Sequence, residues 1–178
     1  MGELLPSVLI SEEQIRARVA ELAADIERDH AAGEELLLVG VLRGSFIFLA
    51  DLARALTMPR CIDFIALSSY ENRTTSDGGV RLIMDVRVSV TNRHVLVVED
   101  IVDSGHTLRY LMKAFTARRP ASLRSCVLVR KPERLQVEVD VDYLGFDIPD
   151  RWVVGYGLDW ANRYRALPYI GIVEPDGG

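Results

Sequence analysis

Three largely apolar runs, interleaved with helix-forming segments, constrain the fold more than any other feature of the sequence. The runs are LLLVGVL (36–42), HVLVVED (94–100) and SLRSCVLV (122–129). Continuous apolar character is typical of strands that are covered on both faces. Amphipathic segments such as TLRYLMKAF (107–115) alternate with these runs, and the alternation indicates a mostly parallel central sheet flanked by helices. We therefore expect an α/β fold.

The neighbouring segments complete the expected architecture. Ser11 is a candidate N-cap for an amphipathic helix that ends near Gly33. CIDFIALSSY (61–70) is expected to form a further strand, and the polar stretch after it leads to a return strand, VRLIMDV (80–86). The positions expected to bury the helix are Ile15, Val19, Leu22, Ala23 and Ile26.

The C-terminal part of the chain consists of shorter strand-like pieces separated by proline and glycine. We interpret it as a small flap, called the hood below. No repeat or low-complexity linker divides the chain, and 178 residues lie in the single-domain range. We therefore expect one domain, 1–178, with a core at about 36–130 and a hood drawn largely from about 131–173.

Charge and cysteine content restrict the class of protein. Asp and Glu number 26 against 21 Lys and Arg, so a general polyanion-binding face is not expected. Cys61 and Cys126 lie in apolar stretches, where buried thiols in a reducing compartment are the simplest interpretation. The N-terminus has no basic flank, and every apolar run is far shorter than the roughly 20 residues of a membrane span. We expect a cytoplasmic protein that binds neither membrane nor nucleic acid.

The segment VVEDIVDSGHTL (97–108) joins two acids to a turn suited to phosphate. Ligands of parallel α/β sheets collect at the carboxyl ends of the strands. Backbone N–H groups at the start of the following helix, with the hydroxyls of Ser104 and Thr107, would suit a phosphate monoester. Glu99 and Asp100 would repel that phosphate unless they bind sugar hydroxyls or Mg²⁺.

Structural alternatives accompany this interpretation. Asp103 or Ser104 could simply cap the helix, and the acid pair could be a solvated strand end. Signatures of other sites are absent from the sequence: it has no GxxxxGK[ST] motif and no Ser nucleophile elbow, and Trp160 stands where a dinucleotide fingerprint needs its third glycine. A zinc site is not expected, because no metal-ligand spacing relates the three histidines, His30, His94 and His106.

The segment VLVVEDIVDSGHTL resembles the diphosphate-ribose signature of type I phosphoribosyltransferases. The chain is similar in particular to the hypoxanthine-guanine branch of that family, especially its short bacterial form. The resemblance implies the type I phosphoribosyltransferase fold and a purine salvage reaction. In that reaction the 5-phosphoribosyl group passes from phosphoribosyl diphosphate to N9 of hypoxanthine and/or guanine, giving IMP or GMP and diphosphate. The matching segments are LRGSF (42–46), SSY (68–70), 95–108, Lys131-Pro132 and GFDIPDRWVVGYGLDW…RYRALPYIG, roughly 36–173 together.

The resemblance also implies roles for residues on the phosphoribosyl side. Asp103 would be the catalytic base facing the purine N7. Glu99 and Asp100 would hold the ribose hydroxyls directly or through Mg²⁺, and Asp159 would help to hold the metal. The 5′-phosphate would lie in the turn formed by Asp103, Ser104, Gly105, His106 and Thr107, where His106 offers only its backbone. Diphosphate would meet Arg43, Gly44 and Arg165, although taken singly Arg43, Arg165 and Asp159 also suit surface turns or ion pairs.

On the purine side, the resemblance implies that Lys131 donates to the exocyclic O6, which predicts a preference for 6-oxopurines over adenine. Trp152 would stack on the ring where a phenylalanine is expected, and ordinary core packing is its structural alternative. The backbone of Val153 would read the purine edge, with Leu158 beneath it. Ser69 and Tyr70 would open a closing loop that continues over 71–79, or a merely flexible connection.

Other functions remain open at this point. A xanthine-preferring transferase is the nearest alternative. A regulatory RNA-binding protein on the same fold is a second one, because local basic residues would form a patch, although a solvated face is the simpler explanation of these side chains. The family further implies a homodimer or homotetramer. The residues of the conceivable patch are Arg118, Arg119, Arg124 and Arg130.

Overall fold

A computed structural model describes residues 6–69 and 79–174 of the chain. Strands and helices alternate through most of its length, as the apolar runs predict. The helices are α1 (Glu12–Arg28), α2 (Phe46–Ala55) and α3 (His106–Thr116), and a 3₁₀ turn covers Pro132–Arg134. The strands are β1 (Ser7–Ile10), β2 (Leu36–Leu42), β3 (Arg60–Ser69), β4 (Val80–Met84), β5 (His94–Val102), β6 (Ser122–Arg130), β7 (Tyr143–Asp147), β8 (Val153–Val154) and β9 (Ile170–Ile172).

Six strands form the main sheet in the order β4-β3-β2-β5-β6-β7. All neighbours are parallel except β3 and β4, which are antiparallel and correspond to the expected return strand. The apolar runs supply the central strands β2, β5 and β6, whose interior residues are buried. The expected α/β fold with a mostly parallel sheet is therefore confirmed.

The helices cover the two faces of this sheet. Helix α1 begins with a reciprocal capping box, in which the Ser11 hydroxyl accepts from the Gln14 N–H and the Gln14 side chain accepts from the Ser11 N–H. All five apolar positions predicted for α1 are buried, and they pack with α2 into one core cluster. Helix α3 packs into a second cluster through Leu108, Leu111 and Phe115. Helix α1 ends at Arg28, before the expected Gly33, and a turn connects it to β2.

A separate three-stranded sheet, β1-β9-β8, provides the framework of the hood. Strand β1 pairs antiparallel with β9, so a segment from near the N-terminus completes a unit that was expected to come largely from 131–173. Strand β7 lies instead in the main sheet, parallel to β6. The chain therefore leaves the main sheet after β7 and not near residue 131, because β7 pairs with β6 as the edge strand of that sheet.

Candidate functional site

The expected ligand-binding residues gather at the carboxyl edge of the main sheet. Strand β5 extends through Val102, so Glu99 and Asp100 lie inside the strand and not at its end. The peptide between Leu42 and Arg43 after β2 is cis. A Cβ on Gly44 would lie 1.7 Å from Asp100 Oδ2. The loop after β2 and the acid pair of β5 are therefore in direct contact, which only glycine at position 44 allows.

Both acids of the pair are difficult to ionise. The Glu99 side chain is buried, and its Oε2 has no hydrogen-bond partner. Burial, with Asp100 beside it, raises the pKa of Glu99 well above its usual range. Burial likewise raises the pKa of Asp100 to about 6, while two backbone N–H groups and Arg165 act in the opposite direction. The pair is therefore not a solvated strand end.

These properties fit a divalent cation. Mg²⁺ prefers carboxylate oxygens and water, and an unpartnered carboxylate oxygen in a buried position is stabilised by a nearby cation or by a hydroxyl donor. Glu99 supplies that oxygen, and Asp100 lies next to it along the strand. The acid pair thus offers ligands suited both to magnesium and to sugar hydroxyls.

The turn after β5 is organised for access to backbone groups. Helix α3 begins at His106, and its N-cap is Gly105 with a φ of 86°. No side chain caps this helix, so neither Asp103 nor Ser104 has the capping role that was the structural alternative. The Ser104 carbonyl accepts from the N–H of Gln136, which ties the turn to the segment after β6. Helix α3 therefore begins at the carboxyl edge of the sheet without a side-chain cap, which is an arrangement suited to binding an anion.

Asp103 lies in a group of alternating charges that the sequence analysis did not find. Its Oδ1 accepts from Arg134 Nε at 2.9 Å. Arg134 Nε is 3.9 Å from Asp150 Oδ1, and Lys131 Nζ is 3.6 Å from the same oxygen. Lys131 is only 7% exposed, although its side chain carries an ammonium group. Asp103 and Lys131, predicted to act on one purine, therefore belong to one connected charge group.

Arg134 and Asp150 escaped notice because charged side chains in surface turns usually carry no function. The 3₁₀ turn at Pro132–Arg134 brings Arg134 back toward the end of β6. Asp150 follows β7 in the stretch GFDIPD. The available signal was that two cations, Lys131 and Arg134, follow β6 while the acid Asp150 follows β7. These charges meet only because β6 and β7 are neighbours in the sheet, which the sequence does not reveal.

The predicted base-contacting residues divide by exposure. Trp152 is 62% exposed, which excludes the core-packing alternative and leaves a free ring face. Val153 in β8 and Leu158 are buried and pack in the larger core cluster, and Val153 lies opposite Ile172 of β9. Tyr156 is also buried, and its hydroxyl donates to Asp51 Oδ2 at 2.5 Å, joining the hood to α2.

The hood meets the loop after β2 through two glycines. A Cβ on Gly157, whose φ is +102°, would lie 2.0 Å from the Gly44 carbonyl oxygen. Arg165 Nη1 donates to the Gly157 carbonyl at 2.7 Å, and Arg165 Nη2 lies 2.7 Å from Asp159 Oδ1. Arg165 and Asp159 thus form a partly buried ion pair beside Gly44 and Asp100, and not a separate surface contact.

Three other sets of predicted residues remain: the start of the expected closing loop, His106 and the two cysteines. The structure describes the backbone of Ser69 at the end of β3, while Tyr70 and residues 71–78 of the expected closing loop lie outside the described residues. His106 Nε2 contacts Gln136 Oε1 at 3.3 Å. Cys126 is buried, as expected, but Cys61 is half-buried and donates to Glu35.

The basic patch needed for RNA binding finds no support. Arg118 is paired with Asp85, Arg124 with Asp29, and Arg130 with Asp147. These arginines alternate with acids instead of presenting one sign of charge. Among the described helices, none combines the length and apolar character required to cross a membrane.

The chain was compared with known proteins. A profile of the phosphoribosyl transferase domain matches residues 10–160. The hypoxanthine-guanine phosphoribosyltransferase of Mycobacterium avium is 50% identical over 183 residues, which cover 98% of this chain and 90% of the relative. The hypoxanthine phosphoribosyltransferase of Salmonella typhimurium is 47% identical, with coverage of 93% and 94%.

Solved structures agree with these relatives. A hypoxanthine-guanine phosphoribosyltransferase from Bacillus anthracis superposes with a TM-score of 0.90 at 49% identity, covering 94% of this chain and 98% of that one. The superposition therefore includes the hood as well as the main sheet, and it confirms the type I phosphoribosyltransferase fold that the acid-pair signature predicted. The chain belongs to the phosphoribosyltransferase family.

Proposed function

We propose that the chain is a purine salvage enzyme that transfers the 5-phosphoribosyl group from phosphoribosyl diphosphate to N9 of hypoxanthine and/or guanine. The products are IMP or GMP and diphosphate. The observation that carries this proposal is the charge group of Asp103, Lys131, Arg134 and Asp150. This group joins the Asp103 carboxylate and the buried Lys131 ammonium beside the turn to which we assign the 5′-phosphate, so one purine ring would contact both.

The donor would be held from two directions. The N–H groups at the start of α3 and the hydroxyls of Ser104 and Thr107 would bind the 5′-phosphate. The backbone at Arg43 and Gly44 would bind diphosphate, and Arg165 would approach from the hood. Because Arg165 already lies beside Gly157, which touches Gly44, hood and loop would bind the leaving group together.

Magnesium belongs to this proposal as the cofactor. Glu99 and Asp100 would hold the ribose hydroxyls and the ion, with Asp159 near the diphosphate. The Asp159–Arg165 pair and the effect of both residues on the pKa of Asp100 support this grouping. Bound Mg²⁺ would neutralise the charge that develops on departing diphosphate. The raised pKa values of the two acids in the unliganded chain support this role, since a cation favours their ionised forms.

The proton and the base would be handled on the opposite side of C1′. As the bond from N9 to C1′ forms and the bond from C1′ to diphosphate breaks, Asp103 would accept the proton that leaves the imidazole part of the purine. Arg134 would orient the Asp103 carboxylate through its hydrogen bond to Oδ1. Lys131 would donate to O6, and Trp152 would cover the ring with its exposed face.

The segment that begins at Ser69 would close over the reacting centre to exclude water, which would otherwise hydrolyse the donor. A cytoplasmic location is supported by two free thiols, Cys61 and Cys126, and a homodimer or homotetramer is expected from the family resemblance. The contacts of Lys131 do not separate hypoxanthine and guanine from xanthine, because all three carry O6.

A steady-state assay tests the function. The chain is supplied with phosphoribosyl diphosphate and Mg²⁺, and hypoxanthine, guanine, xanthine, adenine and uracil are offered separately. We expect nucleotide formation with hypoxanthine or guanine and none with adenine. A folded protein that turns over no base would contradict the proposal, and a clear preference for xanthine would replace it with the alternative substrate.

A further inference from the structure

We propose that the amino edge of the main sheet carries a second metal site, formed by His30, Glu34 and His94 and suited to a transition-metal ion of the zinc class. Within the described parts of the chain, one ligand atom from each of these three side chains lies within 4.8 Å of the other two. All three residues are half-buried. The site is independent of the proposed function and of the acid pair.

The three ligands come from parts of the chain that folding brings together. His30 follows the end of α1, Glu34 lies in the turn before β2, and His94 is the first residue of β5. Strand pairing places Leu36 opposite His94, which brings the turn against the start of β5. Asp100 lies six residues further along β5, or roughly 20 Å at the usual rise per residue. An ion at this edge would therefore not touch the catalytic carboxyl edge.

Hydrogen bonds prepare both imidazoles to bind a metal. His30 Nδ1 lies 2.7 Å from the Ile26 carbonyl oxygen. A carbonyl oxygen can only accept, so the proton is on Nδ1 and the lone pair of the neutral ring is on Nε2. His94 Nδ1 contacts the Ser122 hydroxyl at 2.8 Å. A hydroxyl can accept as well as donate, and in the tautomer in which it accepts from Nδ1–H the lone pair of His94 is on Nε2. Metal-binding histidines are typically oriented by such a contact from the other ring nitrogen.

The carboxylate is also positioned by its neighbours. Glu34 Oε2 accepts from the Ala31 N–H at 3.0 Å, and Glu34 Oε1 is 3.6 Å from His94 Nε2. Zinc bonds of about 2.0–2.1 Å in tetrahedral geometry require neighbouring ligand atoms to be about 3.3 Å apart. The rings of His30 and His94 meet edge to face with centroids 6.0 Å apart. Small side-chain rotations would therefore complete a three-ligand site with water in the fourth position.

The ligand set determines the class of ion. Two imidazoles and one carboxylate favour Zn²⁺, Co²⁺ or Ni²⁺ over Mg²⁺, which prefers oxygen ligands. The ion would join the end of α1, the turn before β2 and the start of β5. Its expected role is to stabilise the fold, and catalysis would proceed without it.

Metal titration with matched variants tests this site. Zn²⁺ is titrated calorimetrically into the full chain with Mg²⁺ in excess, so that the acid pair is already supplied with its own ion. We expect saturable binding of one equivalent. Glu34→Gln should weaken binding at least tenfold, while Glu35→Gln, which removes the adjacent carboxylate paired with Arg93, should leave the affinity unchanged. Equal affinities of the Glu34→Gln and Glu35→Gln variants would overturn the proposal.

Imidazole resonances locate the ion independently of stability. Long-range ¹H–¹⁵N spectra should show Zn²⁺-induced shifts of the Nε2 signals of His30 and His94, while His106 serves as an internal reference. A shift confined to His106, or no saturable shift, would overturn the site. Ser122→Ala keeps all three ligands and should weaken binding about 10–100-fold through the lost orientation of His94. Unchanged affinity in that variant would contradict the argued geometry.

Discussion

Replacing Asp100 by asparagine is expected to stabilise the unliganded protein above about pH 6 while it impairs catalysis. Burial raises the pKa of Asp100 to about 6, whereas an unfolded aspartate has a value near 4. The folded state therefore holds the proton more tightly than the unfolded state. It follows that ionised Asp100 destabilises the fold, and that an amide of the same shape removes this penalty.

The sign and size of the effect follow from linkage. Below pH 4 the carboxyl is protonated in both states and costs nothing; between about pH 4 and 6 its contribution to stability falls, and above pH 6 the penalty is constant. A difference of about two between the pKa values corresponds to ~3 kcal/mol. Asp100 is partly exposed, so solvent screening reduces this figure, and we expect a gain of about 1–2 kcal/mol for Asp100→Asn at pH 8.

Urea unfolding from pH 4.5 to 8, in the presence of a chelator, measures this difference. Other carboxylates, whose pKa values are lowered, make the free energy of unfolding rise with pH in both proteins. Their effect cancels when the free energy of unfolding of the variant is subtracted from that of the wild type. Asp63→Asn is the matched control. Burial opposes ionisation of Asp63, but N–H groups of Val88, Phe64 and Arg87 lower its pKa. Its loss should therefore destabilise the fold by nearly the same amount at pH 4.5 and at pH 8, because both values lie above the pKa of an unfolded aspartate.

A stability difference between Asp100→Asn and wild type that is the same at pH 4.5 and pH 8 would refute the reasoning, because a difference caused by ionisation of Asp100 must change with pH. A destabilised variant at pH 8 would refute it as well. Saturating Mg²⁺ and phosphoribosyl diphosphate should reverse the order, because ligands that bind the ionised pair stabilise only the wild type strongly.

Further predictions concern the loop after β2, the proposed catalytic base with its arginine, and the exposed tryptophan. Gly44→Ala places a Cβ 1.7 Å from Asp100 Oδ2, so Asp100 must move; the change should lower kcat/KM at least tenfold and also lower the unfolding midpoint. Gly33→Ala, where nothing lies within 4 Å, should cost about 1 kcal/mol of stability and no activity. Asp103→Asn should lower turnover by roughly 10²–10⁴-fold in steady-state assays while calorimetry shows donor binding retained. Arg134→Gln should lower kcat about tenfold without changing KM for phosphoribosyl diphosphate, and should add nothing to Asp103→Asn; additive losses would show that Arg134 acts elsewhere. Trp152→Phe should keep turnover but abolish most of the fluorescence change on hypoxanthine binding, and a full remaining signal would place the stacking at another ring.

The main sheet was predictable because its strands carry their own signal. β2 and β5 are continuous apolar runs that must be covered on both faces, and only parallel α/β layers provide that cover. The acid pair and the turn after it were predictable for a related reason. They follow directly in sequence from a recognisable strand, so local order determines their place at the sheet edge.

What the sequence did not reveal depends on contacts between distant segments. Strand β1 is four residues long and its pairing with β9 has no local signature. Arg134 reaches Asp103 only because a 3₁₀ turn follows β6. The histidines show no metal-ligand spacing in sequence, yet parallel pairing of β2 with β5 brings His94 beside the turn that holds Glu34.

The pairing of β1 with β9 also bears on the order in which the protein folds. Ser7 pairs with Ile172, so almost the whole described chain must be ordered before this ladder can close. Contacts of such high sequence separation form late, since the entropy of closing a long loop is lost before they stabilise anything. The main sheet, whose neighbours are mostly close in sequence, can therefore assemble first. During refolding we expect phosphate affinity to return before purine affinity, with the recognition of the base gained only in the final step.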